Sequence, residues 1–279
     1  MRRAPAAAAL LALAWPAAAQ ATDYGGGTAP SSKSRSSREL TLVGIRTAAD
    51  GGARVTVLVA ARCGVGKVGR SVRLAADGTF AFDVRVRSRI PDDRRVRQRA
   101  RVVVAGQVTG AVAGGTARTQ IVQRRGGRVV GRCRSGNRAW QARAASAETV
   151  AAAPRADGSY YGLTAQARRP FPFVLRVDPR GRRVRTAVFD YRQRCGGRDV
   201  EWENVTPGGP IAADGSFHLR ERFTFRWAEE LERFRVRVDG RFTTSGVSGT
   251  LSVTSVLRSR SGRVLDRCRT GRQAFAALL

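Results

Sequence analysis

The segment GRCRSGNRAWQARA at residues 131–144 is matched near the other end of the chain by DRCRTGRQAFAAL at residues 266–278. Both segments place a cysteine among basic residues and continue with an aromatic residue, Trp140 or Phe275, that opens a short apolar run. A cysteine-centred pattern that occurs twice in one chain indicates two copies of a single unit. With 279 residues, the chain is long enough for two domains of ordinary size.

Further segments occur in the same order in both copies. LTLVGIRTAADGGARVTVLVAARC at residues 40–63 aligns without a gap to PFVLRVDPRGRRVRTAVFDYRQRC at residues 172–195. Each copy covers roughly 115–125 residues, which is a typical domain size. Two more pairs follow in order: AADGTFAF (75–82) with AADGSFHL (212–219), and RVVVAG (101–106) with RVRVDG (235–240).

The regions outside the copies complete the predicted domain organisation. A charged start, a short apolar run and a small-residue cleavage site predict a signal peptide at residues 1–21. We expect a first β domain at residues 22–146 with a serine-rich insertion at about residues 31–37, a linker at residues 147–157, and a second β domain at residues 158–279. The mature protein is expected to have no membrane span and to be secreted, either extracellular or periplasmic.

Apolar and polar residues alternate with a period of two in several segments. Phe217 and Leu219 alternate with His218 and Arg220, and the phase continues with one interruption at Glu221. Such alternation is typical of antiparallel sheets that have one face in the core and the other in water. Together with turn signals at short intervals, it predicts two tandem antiparallel β-sandwich domains, with β-barrels as the alternative.

The four cysteines allow three disulfide connectivities. If the ancestral unit was stable on its own, each copy keeps its own pair, so we predict the disulfides Cys63–Cys133 and Cys195–Cys268. No metal site is expected, because the sequence has a single histidine and no CxxC pair. We also expect the aromatic residue after each second cysteine to pack beside the disulfide of its copy.

The charge balance is strongly basic, with 51 lysine and arginine residues against 21 acidic ones and a formal net charge of +30. Lys33 and Lys67 are the only lysines, so nearly all of the positive charge is arginine. A coding bias would explain the excess of arginine over lysine, but it would not explain the shortage of acidic residues. An anionic cell-surface or matrix polymer is the partner that such charge would attract.

Arginines at alternate positions would form rows on the exposed faces of the sheets. The planar guanidinium group matches phosphate, sulfate and carboxylate. The export signal and the absence of aromatic residues interleaved on the basic face argue against a dedicated nucleic-acid role. The candidate polyanion-binding residues are Arg85, Arg87, Arg220, Arg222, Arg226, Arg233, Arg235 and Arg237.

The sequence offers few residues for catalysis. His218 is the only histidine, it falls on the outward phase of its strand, and Ala81 replaces it in the first copy. Neighbouring carboxylates could serve glycoside hydrolysis or hold calcium, although nearby arginines give them a simpler role as charge partners. These carboxylates are Asp92 with Asp93, and Glu229 and Glu230 with Glu232. We therefore expect no enzyme activity, no catalytic residue and no cofactor.

The second copy contains, in order, Tyr161-Gly162, Cys195, Asp214-Gly215, Val238-Asp239-Gly240, Gly249-Thr250, Cys268 and Phe275-Ala276-Ala277. This order resembles tandem all-β repeat domains of secreted bacterial proteins of unknown function. The first copy departs from it by Gly25-Gly26-Gly27, which weakens the match of its first strand. The resemblance implies an exported all-β domain and carries over no catalytic residues.

We therefore expect an exported, non-catalytic binding or envelope-associated module that contacts anionic polymers through arginine-rich faces. A purely structural extracellular module is the first alternative. A carboxylate-dependent glycoside hydrolase is a more distant one.

Overall fold

The computed structural model describes residues 22–28, 40–90, 93–144, 151–166, 170–226 and 230–279. The described residues form two nine-stranded antiparallel sheets, which confirms the all-β prediction. The predicted signal peptide at residues 1–21, the serine-rich insertion at 31–37 and residues 147–150 of the predicted linker lie outside the described residues. Within the described ranges, no helix is long and apolar enough to cross a bilayer.

The first sheet curls into a nearly closed eight-stranded barrel, which we call the N-terminal barrel. Its strand order is β4-β3-β2-β1-β9-β7-β6-β5, and β8 pairs with β7 outside this path. The strands are β1 (Asp23–Thr28), β2 (Thr41–Thr47), β3 (Gly52–Ala61), β4 (Gly64–Arg73), β5 (Thr79–Ile90), β6 (Asp93–Thr109), β7 (Val112–Arg125), β8 (Arg128–Arg134) and β9 (Arg138–Ala144).

The second sheet, the C-terminal barrel, has the same strand order with nine added to each number. Here β17 pairs with both β12 and β16, so β12-β11-β10-β18-β16-β17 closes into a six-stranded ring. Long antiparallel strands twist strongly and curl the sheet, so the structure has the barrel rather than the sandwich. The strands are β10 (Ser159–Thr164), β11 (Phe171–Val177), β12 (Arg183–Cys195), β13 (Arg198–Pro210), β14 (Ser216–Arg226), β15 (Glu230–Phe242), β16 (Gly246–Ser259), β17 (Val264–Arg269) and β18 (Gln273–Leu278).

The predicted alternation places the core where the sequence indicated. Phe217 and Leu219 are each 1% exposed, while His218 and Arg220 between and beside them are exposed. The pairing of β14 with β15 continues without a shift through Glu221, which lies opposite the buried Val236. Glu221 therefore interrupts the alternation of apolar and polar residues only by placing a carboxylate on the inward face, and the residues after it keep the same facing.

Both predicted disulfides are present, one in each barrel. Cys195 ends β12 and pairs directly with Cys268 on β17, so this disulfide lies within the ladder that closes the ring. Cys63 follows the end of β3 and is bonded to Cys133 on β8, two strands that do not pair with each other among the described residues. Two disulfides indicate an oxidising, non-cytoplasmic compartment.

The aromatic residues after the second cysteines do not pack beside the disulfides, contrary to expectation. Trp140 lies on β9 opposite Gly115, whereas Cys133 lies on β8 opposite Ile121, and both strands pair with β7. Six residues of strand separate these positions by about 20 Å. Trp140 instead contacts Phe80, with ring centroids 6.3 Å apart. In the C-terminal barrel, Phe275 stacks on Phe173 at 4.2 Å.

The two barrels contact each other through β1, β2, β3, β4 and β9 on one side and β10, β11, β12, β13 and β18 on the other. Leu42 and Leu58 of the N-terminal barrel share a buried apolar cluster with Val174 and Val188 of the C-terminal barrel. The triple glycine lies within the regular strand β1. A side chain at Gly25 would overlap the backbone of β10, so the residue at this position has to be glycine. Gly25 is therefore required by close packing between the barrels, whereas Gly26 and Gly27 are required by close packing against β9 and β2 of their own barrel.

Candidate functional site

Strands β14 to β17 present arginines on the outer face of the C-terminal barrel. Arg222 on β14 lies opposite Arg235 on β15, and Arg235 lies opposite Thr254 on β16. Thr254 pairs with Arg269 on β17, which in turn pairs with Arg194 on β12. Because residues paired in register point to the same face of a sheet, these side chains form one row across five strands.

This row borders a cleft of about 910 Å³, which we call the arginine cleft. Among the described residues, no aspartate or glutamate lines it. Its lining also includes Phe223 and Phe234, whose rings stack at 4.8 Å, and the disulfide-bonded Cys268. The arginines that line the cleft are Arg194, Arg222, Arg233, Arg235, Arg258, Arg267 and Arg269.

The positive charges of the arginine cleft are not neutralised by the described part of the chain. None of its seven arginines forms an ion pair with a carboxylate among the described residues. One of them, Arg258, donates a hydrogen bond to the backbone oxygen of Gly262 at 2.7 Å. Elsewhere, arginines do have acidic partners: Arg46 binds Asp23 at 2.7 Å, and Arg241 binds Asp214 at 2.7 Å. The arginine cleft is therefore a concentration of unpaired cationic groups around an apolar floor.

The structure gathers only some of the predicted arginines. Arg222, Arg233 and Arg235 line the arginine cleft, whereas Arg220, Arg226 and Arg237 lie on the same two strands without lining it. Arg85 and Arg87 belong to the N-terminal barrel, where they pair in register with Arg101 and Arg99. Arg101 forms an ion pair with Asp83.

Sequence reasoning missed four arginines of the cleft: Arg194, Arg258, Arg267 and Arg269. Alternation within β17 would have marked Arg267 and Arg269 as residues on one face. Nothing in the sequence indicated that β17 closes the ring against β12, which is what brings Arg194 beside Arg269.

Among the described carboxylates considered for catalysis, none lines the arginine cleft, although Glu232 is hydrogen-bonded to Ser255, which does line it. Asp92 and Glu229 lie outside the described residues, and of Asp93 only the backbone, at the start of β6, is described. Glu230 begins β15 and is half-buried. His218 is exposed, and its Nδ1 lies 2.8 Å from Asp239 Oδ1 on the neighbouring strand.

Two carboxyl groups that sequence reasoning did not place inside the barrel lie there. Glu232 is buried and its Oε1 accepts a hydrogen bond of 2.6 Å from the Ser255 hydroxyl. Glu221 Oε2 accepts one of 3.3 Å from Asn204 Nδ2. Burial raises the pKa of both carboxyl groups, because it disfavours the charged form.

One group of potential metal ligands occurs in the described ranges, formed by Cys195, Asp266 and Cys268. The two sulfur atoms are bonded to each other, so neither is a thiolate that could hold a metal. This group is therefore part of the disulfide rather than a metal site.

No protein-family model matches the sequence, and no curated protein matches it either. Among solved structures, the chain is similar to a candidate AttH protein from Nitrosomonas europaea at 10% sequence identity. The match covers 93% of this chain and 92% of that chain with a TM-score of 0.21, and at this score the likeness carries no argument about function.

Proposed function

We propose that the protein is an exported, non-catalytic binding protein whose C-terminal barrel holds an anionic polymer of the cell surface or matrix in the arginine cleft. The observation that supports this proposal is the composition of the cleft: seven arginines line it, and no acidic residue lines it among those described. The two disulfides and the predicted signal peptide at residues 1–21 favour a secreted location, extracellular or periplasmic.

A coding bias alone does not account for the placement of these charges. Bias would raise the number of arginines everywhere, but it would not separate them from acidic partners at one concave site. Like charges directly opposite each other on neighbouring strands are destabilising, as at Arg222 and Arg235. A bound anion would relieve this repulsion, so a site of this kind favours occupation by negative charge.

The arrangement favours a linear ligand that lies across the strands. Strands are about 4.8 Å apart, so the row from Arg222 through Arg235 and Arg269 to Arg194 extends over roughly 19 Å. A polymer with repeated phosphate, sulfate or carboxylate groups can contact several guanidinium groups along this row at once. A single small anion would contact only part of it.

Chromatography on immobilised heparin tests the proposal. The unmodified protein should be retained above physiological ionic strength, about 0.15 M salt. A triple variant Arg222→Gln, Arg235→Gln and Arg269→Gln should elute at clearly lower salt, because it removes three groups of the row. Elution of the unmodified protein below physiological salt would contradict the proposal.

A matched control separates the arginine cleft from general basicity. The triple variant Arg85→Gln, Arg87→Gln and Arg99→Gln removes the same charge from paired strands of the N-terminal barrel. It should elute close to the unmodified protein. If the two triple variants lose the same retention, the binding reflects net charge rather than the cleft.

A further inference from the structure

A second, smaller pocket of about 340 Å³ lies between the two barrels. Its apolar wall comes mainly from the C-terminal barrel, with Leu163, Phe171 and Pro172 as contributors. The N-terminal barrel contributes Gly44, Arg54 and the ion pair of Asp23 with Arg46, among other residues. None of these residues lines the arginine cleft, so the two sites are distinct.

Gly44 leaves space in this pocket because it has no side chain. Gly44 lies on β2 opposite Thr56, on the face of the N-terminal barrel that meets Pro172. A Cβ added at Gly44 would meet only Pro172 Cδ, at 3.7 Å, so the space in front of it is open. In the aligned second copy the matching residue is Arg176, whose long side chain would fill such a space.

Two arginines supply polar groups at this pocket. Arg192 lies over the Phe171 ring at 5.9 Å, and its guanidinium group is already paired with Glu201 at 2.9 Å and with Asp199 at 3.5 Å. Arg54 is exposed and has no carboxylate partner among the described residues. In contrast, Arg46 at the same pocket is already paired with Asp23.

We propose that this pocket binds a small organic anion with an apolar body, such as an aromatic carboxylate. The apolar wall would bury the body, and the exposed Arg54 would contact the anionic group. A volume of about 340 Å³ lies near the lower end of the range for ligand sites, which favours a compact molecule over a long lipid.

Isothermal titration calorimetry with naphthalene-2-carboxylate tests this proposal. We expect saturable binding at one site, at least tenfold weaker binding of the uncharged 2-naphthalenemethanol, and at least tenfold weaker binding of acetate. Absence of saturable binding by naphthalene-2-carboxylate, or equal binding of the uncharged compound, would overturn it.

Variants locate the binding. Gly44→Phe should fill the pocket and reduce the affinity for naphthalene-2-carboxylate at least tenfold, and Arg54→Gln should reduce it several-fold. Gly114→Phe is the control, since a Cβ there would meet only Trp140 O at 3.5 Å and the residue lines neither site. Thermal unfolding of each variant checks that it is folded.

Unchanged binding in the folded Gly44→Phe variant would overturn the assignment. Loss of naphthalene-2-carboxylate binding in the arginine-cleft triple variant, with binding retained in Gly44→Phe, would also overturn the assignment. Heparin retention is measured separately, so failure of one proposal is distinguishable from failure of the other.

Discussion

Lys67 Nζ lies 3.3 Å from Asp190 Oδ2, and this contact joins β4 of the N-terminal barrel to β12 of the C-terminal barrel. Glu201 Oε2 lies at the same distance, 3.3 Å, from the ammonium group. Burial alone would lower the pKa of Lys67, but the two carboxylates raise it above its usual value. The side chain of Asp190 is only 1% exposed, so this contact lies in the buried part of the interface between the barrels.

Lys67→Met is expected to lower the free energy of unfolding by about 3 kcal/mol, because it removes the ammonium group beside the buried Asp190 carboxylate, whereas Glu201 keeps Arg192 as a partner. Urea denaturation near neutral pH measures the change. Arg70→Gln, at an exposed position on the same strand, should change the free energy by less than about 0.5 kcal/mol. Equal stability of the two variants would show that the ion pair does not hold the barrels together.

Glu232→Gln is expected to change the pH dependence of stability. Because burial raises the pKa of the Glu232 carboxyl, the folded protein holds this proton more tightly than the unfolded chain does. The resulting stabilisation is complete below the unfolded-state pKa and is lost as the pH rises through the folded-state pKa. The variant should therefore gain stability relative to the unmodified protein as the pH rises from the unfolded-state value of about 4.3 through the raised folded-state pKa, as measured by urea unfolding.

Asp214→Asn provides the opposite case. The pKa of Asp214 is lowered by hydrogen bonds from the Ser216 hydroxyl and amide, and by Arg241. Its stabilisation is present above the unfolded-state pKa and is lost as the pH falls through the folded-state pKa. This variant should lose stability relative to the unmodified protein as the pH rises, and a slope of the same sign as for Glu232→Gln would contradict the assignment.

Gly25→Ala is expected to destabilise the contact between the barrels. A Cβ at this position would overlap the carbonyl oxygen of Gly162, and backbone atoms cannot move aside easily. Overpacking of this kind costs about 1–3 kcal/mol, which thermal unfolding will detect. In Gly44→Ala the new Cβ has open space, so this variant should keep its melting temperature.

Removing either disulfide is expected to cost about 4 kcal/mol, because each closes a long loop and so restricts the unfolded chain. The two loops span 70 and 73 residues, so the double variants Cys63→Ser/Cys133→Ser and Cys195→Ser/Cys268→Ser should lose similar stability in urea unfolding. Peptide mapping of the unreduced protein should recover only these two pairings. Bridges between the two halves of the chain would contradict them.

The local features of the fold were predictable because they depend on neighbouring residues. Alternation placed Phe217 and Leu219 in the core, and the Asp-Gly pairs predicted turns at Gly78 and Gly215, which have positive φ values of 80° and 77°. The cysteine pairing followed from the assumption that each copy was once stable alone. None of these inferences required knowledge of how the sheets close.

The candidate site could be predicted only in part. Arg222 and Arg235 lie on neighbouring strands joined by one hairpin, so their alternation was enough to place them on one face. Arg194 lies far from them in sequence and reaches them only through the pairing of β12 with β17. Twist and curl accumulate over a whole sheet. The alternation of apolar and polar residues along a strand contains no information about them, so it cannot predict which strands close the ring.

The sequence by itself determined which side of each strand faces the core, where the turns fall and which cysteines pair, because these follow from local periodicity and from the repeat. Only the tertiary structure decided that one sheet curls into a nearly closed barrel and the other into a closed one, that arginines from five strands surround one cleft, and that Gly25 lets the two barrels approach. Those features depend on contacts between residues distant in the chain. Their geometry is set by the twist of complete sheets and the packing of one sheet on another.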